Sequence, residues 1–230
     1  MSKTVFGILL SLVCMSSRAQ VKFVAFAGPQ STSVLYKVRD AKQDAERKWG
    51  FQAGAALKVP FDNQLFFYPT IYYSRKGYHV TLRDTAFPPS VYALNNNTIM
   101  HTMEISPMFH IDFSKQASHA FIRFGPAIDI AFSGKERFDS VSPSGTIFKV
   151  SRPMTFSFGD YGRFSASANI HLGYESSQGF MVYAFYAHGI GSMNNADYGP
   201  KIFHRIFGLS VGWTFGGHNP LVHDTRVIDK

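Results

Sequence analysis

The tightest constraint on this chain is a set of long segments that alternate with period two and keep their formal charges on one face. Between positions 163 and 175, Phe164, Ala166, Ala168, Ile170, Leu172 and Tyr174 share one parity. Arg163, Ser165, Ser167, Asn169, His171, Gly173 and Glu175 share the other. Period two is the strand period, so one face meets something apolar and the other something polar. The segment is longer than a usual globular strand. Apolar residues outside, with polar or small residues inside, suit a transmembrane β-barrel.

The same pattern predicts eight strands, at 22–36, 50–59, 64–82, 98–113, 119–133, 163–175, 179–190 and 205–215, with an irregularity at Gly28-Pro29. The first and seventh strands carry no clear phase. In the other six, Lys58, Glu104, Asp112, Arg123, Asp129, Arg163 and Glu175 all share the inward parity. A charge facing lipid at mid-depth costs roughly 2–4 kcal/mol, which accounts for this segregation. A soluble lipocalin-like barrel would carry its charges outward instead. The expected fold is therefore all-β, an eight-stranded antiparallel up-and-down transmembrane barrel.

Connections alternate in length. Short ones fall at 60–63, 114–118 and 176–178, and long ones at 37–49, 83–97, 134–160 and 191–204. This order puts both termini on the short-turn side, which is periplasmic in outer-membrane barrels. Within the third long connection, Thr146 to Phe156 reads as β-like, a hairpin standing above the membrane.

Ahead of the barrel, Lys3, an apolar run at 5–13 and Ser17-Arg18-Ala19 form an export signal, cleaved before Gln20. The expected organisation is a signal at 1–19, a barrel domain at 20–215 and a flexible periplasmic tail at 216–230. Cys14, the only cysteine, falls inside the signal, so thiol chemistry is not expected of the mature chain. Aromatic residues make up 16% of the chain, which suits lipid-facing girdles. The net charge is +8, or +6 without Lys3 and Arg18, and its lysines and arginines are dispersed rather than striped. Nucleic acid is not an expected partner, whereas lipopolysaccharide and other outer-membrane lipids are.

Several short motifs resemble the PorT-like outer-membrane β-barrel family, the small barrels often labelled porin family proteins. They are Tyr73-Ser74-Arg75-Lys76-Gly77, Glu104-Ile105-Ser106-Pro107, Gly125-Pro126, Asp160-Tyr161-Gly162 and Gly212-Trp213-Thr214-Phe215. Together they span nearly all of the mature chain. Thr70 stands where that family often has an acidic residue, and the chain continues past Phe215. The resemblance implies a small outer-membrane barrel inserted by the barrel-assembly machinery through its aromatic last strand. It implies little about activity.

Inward polar residues Glu104, His110, Arg123, Asp129, Arg163, His171 and Glu175 are expected to form a lumenal network. An eight-stranded barrel is just wide enough for its own side chains, and buried charges must be paired. A packed lumen is thus the first reading and a narrow ion path the second. The nine histidines show no HxH or HxxxH spacing and no His–carboxylate cluster within a strand. Only His218 and His223, with Asp224 in the tail, offer an adventitious metal contact. Neither a metal nor a cofactor is expected. Ser165, Ser167, His171 and Glu175 share the inward face, but membrane lipid would reach them with difficulty, so no catalytic residue is expected. The expected function is a non-enzymatic outer-membrane protein whose four outer loops bind an extracellular or envelope partner, or serve a structural role. A narrow porin-like channel is the alternative, with a lipid hydrolase behind it.

Overall fold

Backbone amides surrounded by lipid have no water to bond, so a spanning sheet must close on itself. The computed structural model describes residues 21–216. The expected signal and the expected tail beyond Gly216 lie outside them. The elements are β1 (Lys22–Val38), β2 (Ala41–Lys42), β3 (Asp44–Asp62), β4 (Leu65–Thr81), β5 (Asn95–Asp112), β6 (His119–Val141), β7 (Ile147–Pro153), β8 (Phe164–Glu175), β9 (Phe180–Gly189) and β10 (Lys201–Phe215). Eight of them form an antiparallel ring in the order β1, β3, β4, β5, β6, β8, β9, β10, and β10 pairs back onto β1 from Phe23↔Phe215 to Lys37↔Lys201. The strand β2 extends the β1–β3 hairpin, and β7 folds back on the outer half of β6.

The closing seam skips two residues. Pairing with β10 passes from Ala27↔Val211 to Gln30↔Gly208, because Pro29 has no amide hydrogen to offer. Gly28 is required beside it, since a Cβ there would stand 2.0 Å from the Leu209 carbonyl oxygen. The alternation itself continues through this interruption, with Val24, Phe26, Gln30, Thr32, Val34 and Tyr36 all buried. In β9, Met181, Tyr183, Phe185 and Ala187 face inward, so the phase left open by the sequence puts aromatic rings into the lumen.

The strands are longer than a membrane needs. β4, β5 and β6 have 17, 18 and 23 residues, whereas about 9–11 tilted residues cross the hydrocarbon. Along each of them the amphipathic sense inverts. In β4 the outward residues Phe67, Ile71 and Tyr73 give way to Arg75, His79 and Thr81, while the inward face passes from Thr70, Ser74 and Lys76 to Tyr78 and Val80. In β5, Met103, Ile105 and Phe109 face lipid, but Asn95 and Asn97 face outward beyond them while Met100 turns in. The boundary is a girdle of Tyr73, His101 and Phe132, whose rings lie 5.9–6.4 Å apart, with the Tyr73 hydroxyl 2.5 Å from His101 Nδ1. Past the girdle the outer face meets water, so the inside becomes apolar as in a soluble protein. An apolar core including Tyr36, Tyr78, Met100, Phe138, Met154, Tyr161 and Ile202 fills that outer end.

Two expectations about the connections change. Residues 37–49 form strand rather than a long loop. They pass through a tight turn at Arg39-Asp40, where φ is 48° and 65°, and inversion of the amphipathic pattern hides these strand ends in the sequence. Residues 134–160 hold the anticipated hairpin as β6–β7. A bulge at Phe132, between the pairs Thr102↔Ala131 and His101↔Ser133, shifts the parity of β6 so that Glu136, Phe138 and Ser140 face in. The three short turns and both described ends share one face of the barrel, as expected.

The inversion predicts a sharp depth dependence. Ile105→Arg or Leu209→Arg should lower unfolding stability in lipid by about 2–4 kcal/mol. Thr81→Arg, on the exposed outward face above the girdle, should stay within about 0.5 kcal/mol of the parent. Urea midpoints in liposomes, followed by heat-modifiable gel migration, read both.

Candidate functional site

Lipid outside leaves the lumen as the only place for polar side chains at mid-depth, and the lumen of this barrel is divided into three levels. Nearest the girdle, Lys76 Nζ lies 2.7 Å from Glu104 Oε1 and 2.8 Å from Asp129 Oδ2, and all three residues are buried. They come from the neighbouring strands β4, β5 and β6, with Glu104 opposite Asp129 in register. Thr102 Oγ1 donates to Glu104 Oε1 at 3.2 Å, and Ser165 Oγ donates to Asp129 Oδ2 at 3.1 Å.

At mid-depth, Arg123 is 1% exposed, with no carboxylate at ion-pair distance among the described residues. Its guanidinium lies 4.0 Å from the Tyr68 ring, 4.1 Å from Phe121 and 5.2 Å from Tyr183. Its Nε donates to His110 Nδ1 at 2.7 Å, and His110 Nε2 contacts Asp112 Oδ1. Desolvated cation–π contacts are worth about 2 kcal/mol or more, and here they stand in for a direct counter-ion. His171 stacks on Tyr183 at 5.1 Å, and its Nδ1 has no hydrogen-bond partner among the described residues.

At the short-turn mouth, Lys58 Nζ bonds Asp112 Oδ2 at 2.9 Å and Glu175 Oε2 at 3.1 Å. Thr214 Oγ1 donates to Glu175 Oε1 at 2.9 Å. A vestibule of about 330 Å³ opens here to the periplasmic side, lined in part by Lys58, Asp112, His119, Glu175 and Ser177.

Six of the seven expected network residues therefore face the lumen. Glu104 and Asp129 meet through Lys76, His110 meets Arg123, Glu175 joins the mouth, and His171 flanks the central ring stack. Arg163 does not belong with them. It is exposed in the bend before β8, where the alternation has not begun, and its carbonyl accepts from the Ala131 amide. Lys76 is central: in sequence it stands out only as part of a strand-ending motif, yet its even position in β4 gives it the inward parity of Thr70 and Ser74. The lumen is also less uniformly polar than expected, since its outer end is apolar. A further correction concerns histidine and carboxylate spacing. His110 and Asp112 stand two apart in β5, and with His119 and Glu175 their ligand atoms lie within 4.8 Å of one another.

No nucleophile–base–acid constellation is assembled from the shared-parity set. Ser165 bonds Asp129, Ser167 Oγ lies 3.4 Å from Asn169 Oδ1, His171 is stacked on Tyr183, and Glu175 is taken by Lys58 and Thr214.

Losing Lys76 would leave two carboxylates facing each other in a low-dielectric lumen. Lys76→Met should cost about 3–5 kcal/mol, and adding Glu104→Leu and Asp129→Leu should recover most of it. Equilibrium unfolding of the single and triple variants in micelles tests this.

Residues 16–195 match the family model described as outer membrane protein beta-barrel domain. No curated protein matches the chain. Among solved structures, it is similar to Ail, the attachment invasion locus protein of Yersinia pestis, at 12% identity and TM-score 0.45, covering 85% of this chain and 99% of that one. A second Ail structure, in complex with the heparin analogue sucrose octasulfate, aligns at 14% identity and TM-score 0.41, covering 86% and 99%. Neisserial surface protein A aligns at 10% identity and TM-score 0.42, covering 84% and 97%. All three TM-scores are too low for the likeness to bear on function.

Proposed function

The chain belongs to the outer membrane protein β-barrel domain family and resides in the bacterial outer membrane, and on that premise we propose that it is a non-enzymatic display scaffold. The observation that carries this reading is where its exposed apolar side chains lie. Above the girdle, in water, Phe87, Val91, Tyr92, Ile147, Phe148, Phe158 and Tyr198 are all exposed, Phe158 at 90%. Large side chains held in water on an ordered surface suit recognition of a partner. Phe87 and Tyr198 line a cleft of about 560 Å³ with Lys37, Arg39, Lys201, Asp40 and Asp197, in which Lys201 is paired with Asp40 at 2.9 Å and the basic side chains outnumber the acidic ones by one. A surface molecule with an apolar portion and polar groups of mixed charge fits it. The outer surface is stiffened by ties that cross loops. Glu136 accepts from Arg152 Nε at 2.6 Å and from the Tyr161 hydroxyl at 2.8 Å, and Tyr161 in turn accepts from Asn96 Nδ2 at 2.8 Å.

A packed lumen supports a scaffold over the channel alternative. Tyr68, Phe121, Arg123 and Tyr183 cross the bore at mid-depth, and the apolar core closes its outer end. We also read the chain as PorT-like, on the short motifs that contain Lys76, Glu104 and Tyr161. We further assign lipopolysaccharide as the lipid neighbour of the basic outward positions Arg75, Lys135 and Arg137, and the assembly machinery as the receptor of its last strand.

Two measurements test this. In planar bilayers the refolded protein should give no reproducible conductance step, and a stable step above leak would support the channel instead. In cells lacking the protein, a variant carrying Phe87→Ser, Phe158→Ser and Tyr198→Ser should assemble with normal heat-modifiability yet fail to complement. Full complementation by that variant would remove the display reading.

A further inference from the structure

We propose that the periplasmic mouth of the lumen holds a divalent transition-metal ion of the zinc class, bound by Asp112, His119 and Glu175. The three ligands come from β5, β6 and β8, and they sit where those strands reach the short-turn side. Their ligand atoms, with His110 Nε2, lie within 4.8 Å of one another. Tetrahedral coordination at about 2.0–2.2 Å needs ligand separations of roughly 3.3–3.6 Å, so small side-chain movements would close the set.

Hydrogen bonding sorts the two imidazoles. Arg123 Nε can only donate, and it donates to His110 Nδ1. The neutral His110 ring then carries its hydrogen on Nε2, where it donates to Asp112, and that nitrogen has no lone pair for a metal. His119 is arranged the other way. Its Nδ1 lies 2.9 Å from the Gln116 carbonyl oxygen, which can only accept. The neutral ring therefore presents a bare Nε2 to the mouth. A backbone carbonyl fixing the distal nitrogen is the usual outer-shell arrangement of a metal-binding histidine. Nε2 of His119 is buried, 2.9 Å from Asp112 Oδ1 and 3.7 Å from Glu175 Oε2, without hydrogen-bond geometry to any partner among the described residues. A bare lone pair and carboxylate oxygens this close repel, so the ring either takes a second proton and pairs with Asp112 or shares the carboxylates with a cation, and the proton and the metal compete for this nitrogen.

One imidazole and two carboxylates select zinc-like ions over magnesium or calcium, which take all-oxygen shells. The vestibule gives access and room for a water as the fourth ligand. Lys58 is the competitor. Its ammonium already bridges both carboxylates, and it lines the vestibule into which its flexible stem can swing. The bound metal would take its place, so removing Lys58 should strengthen binding.

The test is zinc titration of the refolded full chain in micelles, by calorimetry and by competition with a chromophoric chelator. His218→Ala and His223→Ala are present throughout, to silence the tail. One saturable site is expected. His119→Gln and Asp112→Asn should each weaken it at least tenfold, and Lys58→Met should tighten it. Heat-modifiable migration verifies folding of each variant. X-ray absorption of the zinc-loaded protein without those substitutions at the mouth should show a nitrogen and oxygen shell with one imidazole. The proposal is overturned by no saturable binding, by binding that His119→Gln leaves unchanged, or by a shell with two or more imidazoles.

Discussion

Lipid against the outer wall is the constraint on which the rest of this structure depends. It accepts neither an unpaired amide nor a charge at mid-depth, so the sheet must close and the charged side chains must turn inward. Eight strands then leave a bore no wider than the side chains entering it. Those side chains have no water to share, and each charge must be answered by a neighbour. Lys76 between Glu104 and Asp129, and Lys58 between Asp112 and Glu175, are two solutions to one problem, each set at a different depth. Arg123 is a third solution, in which aromatic faces and a histidine relay replace a direct carboxylate.

Where the lipid stops, the rule reverses. The strands run on past Tyr73, His101 and Phe132 into water, and the inside of the same barrel turns apolar within one or two residues. The molecule thus joins a membrane-spanning half with an inward polar face to an outer half built as a soluble β-domain. That outer half needs no lipid to bury its core, so it can hold aromatic side chains on its surface in fixed positions. The scaffold reading of its function rests on this rigidity.

The same constraint explains how much could be read in advance. The parity of Glu104, Arg123, Asp129 and Glu175 was legible because the lipid penalty acts on each residue separately and leaves its mark in a single strand. Pairing was not legible, because Lys76 meets Asp129 only after β4, β5 and β6 assume their stagger. Arg163 was misplaced because parity has meaning only inside a strand, and that residue lies one position outside. The strand ends between 37 and 49 were hidden by the inversion, since a strand whose two faces exchange character shows no sustained alternation. His110 and Asp112 were adjacent on one face in plain sequence, but their significance depends on His119 and Glu175, which β6 and β8 deliver to the same mouth.

The levels of the lumen are not independent. His110 touches Arg123 through one ring nitrogen and Asp112 through the other, so it ties the central cation to the carboxylate that faces the vestibule. Asp112 therefore serves Arg123 indirectly and Lys58 directly. Lys58 and Arg123 thus share the two carboxylates of this half between them. Lys58 is the member with water beside it, whereas Arg123 is sealed between rings. Among the described residues, the mouth is therefore where this buried electrostatic system can respond to the periplasm without unpacking the barrel, because the side chain that must move there is a flexible one at its open end.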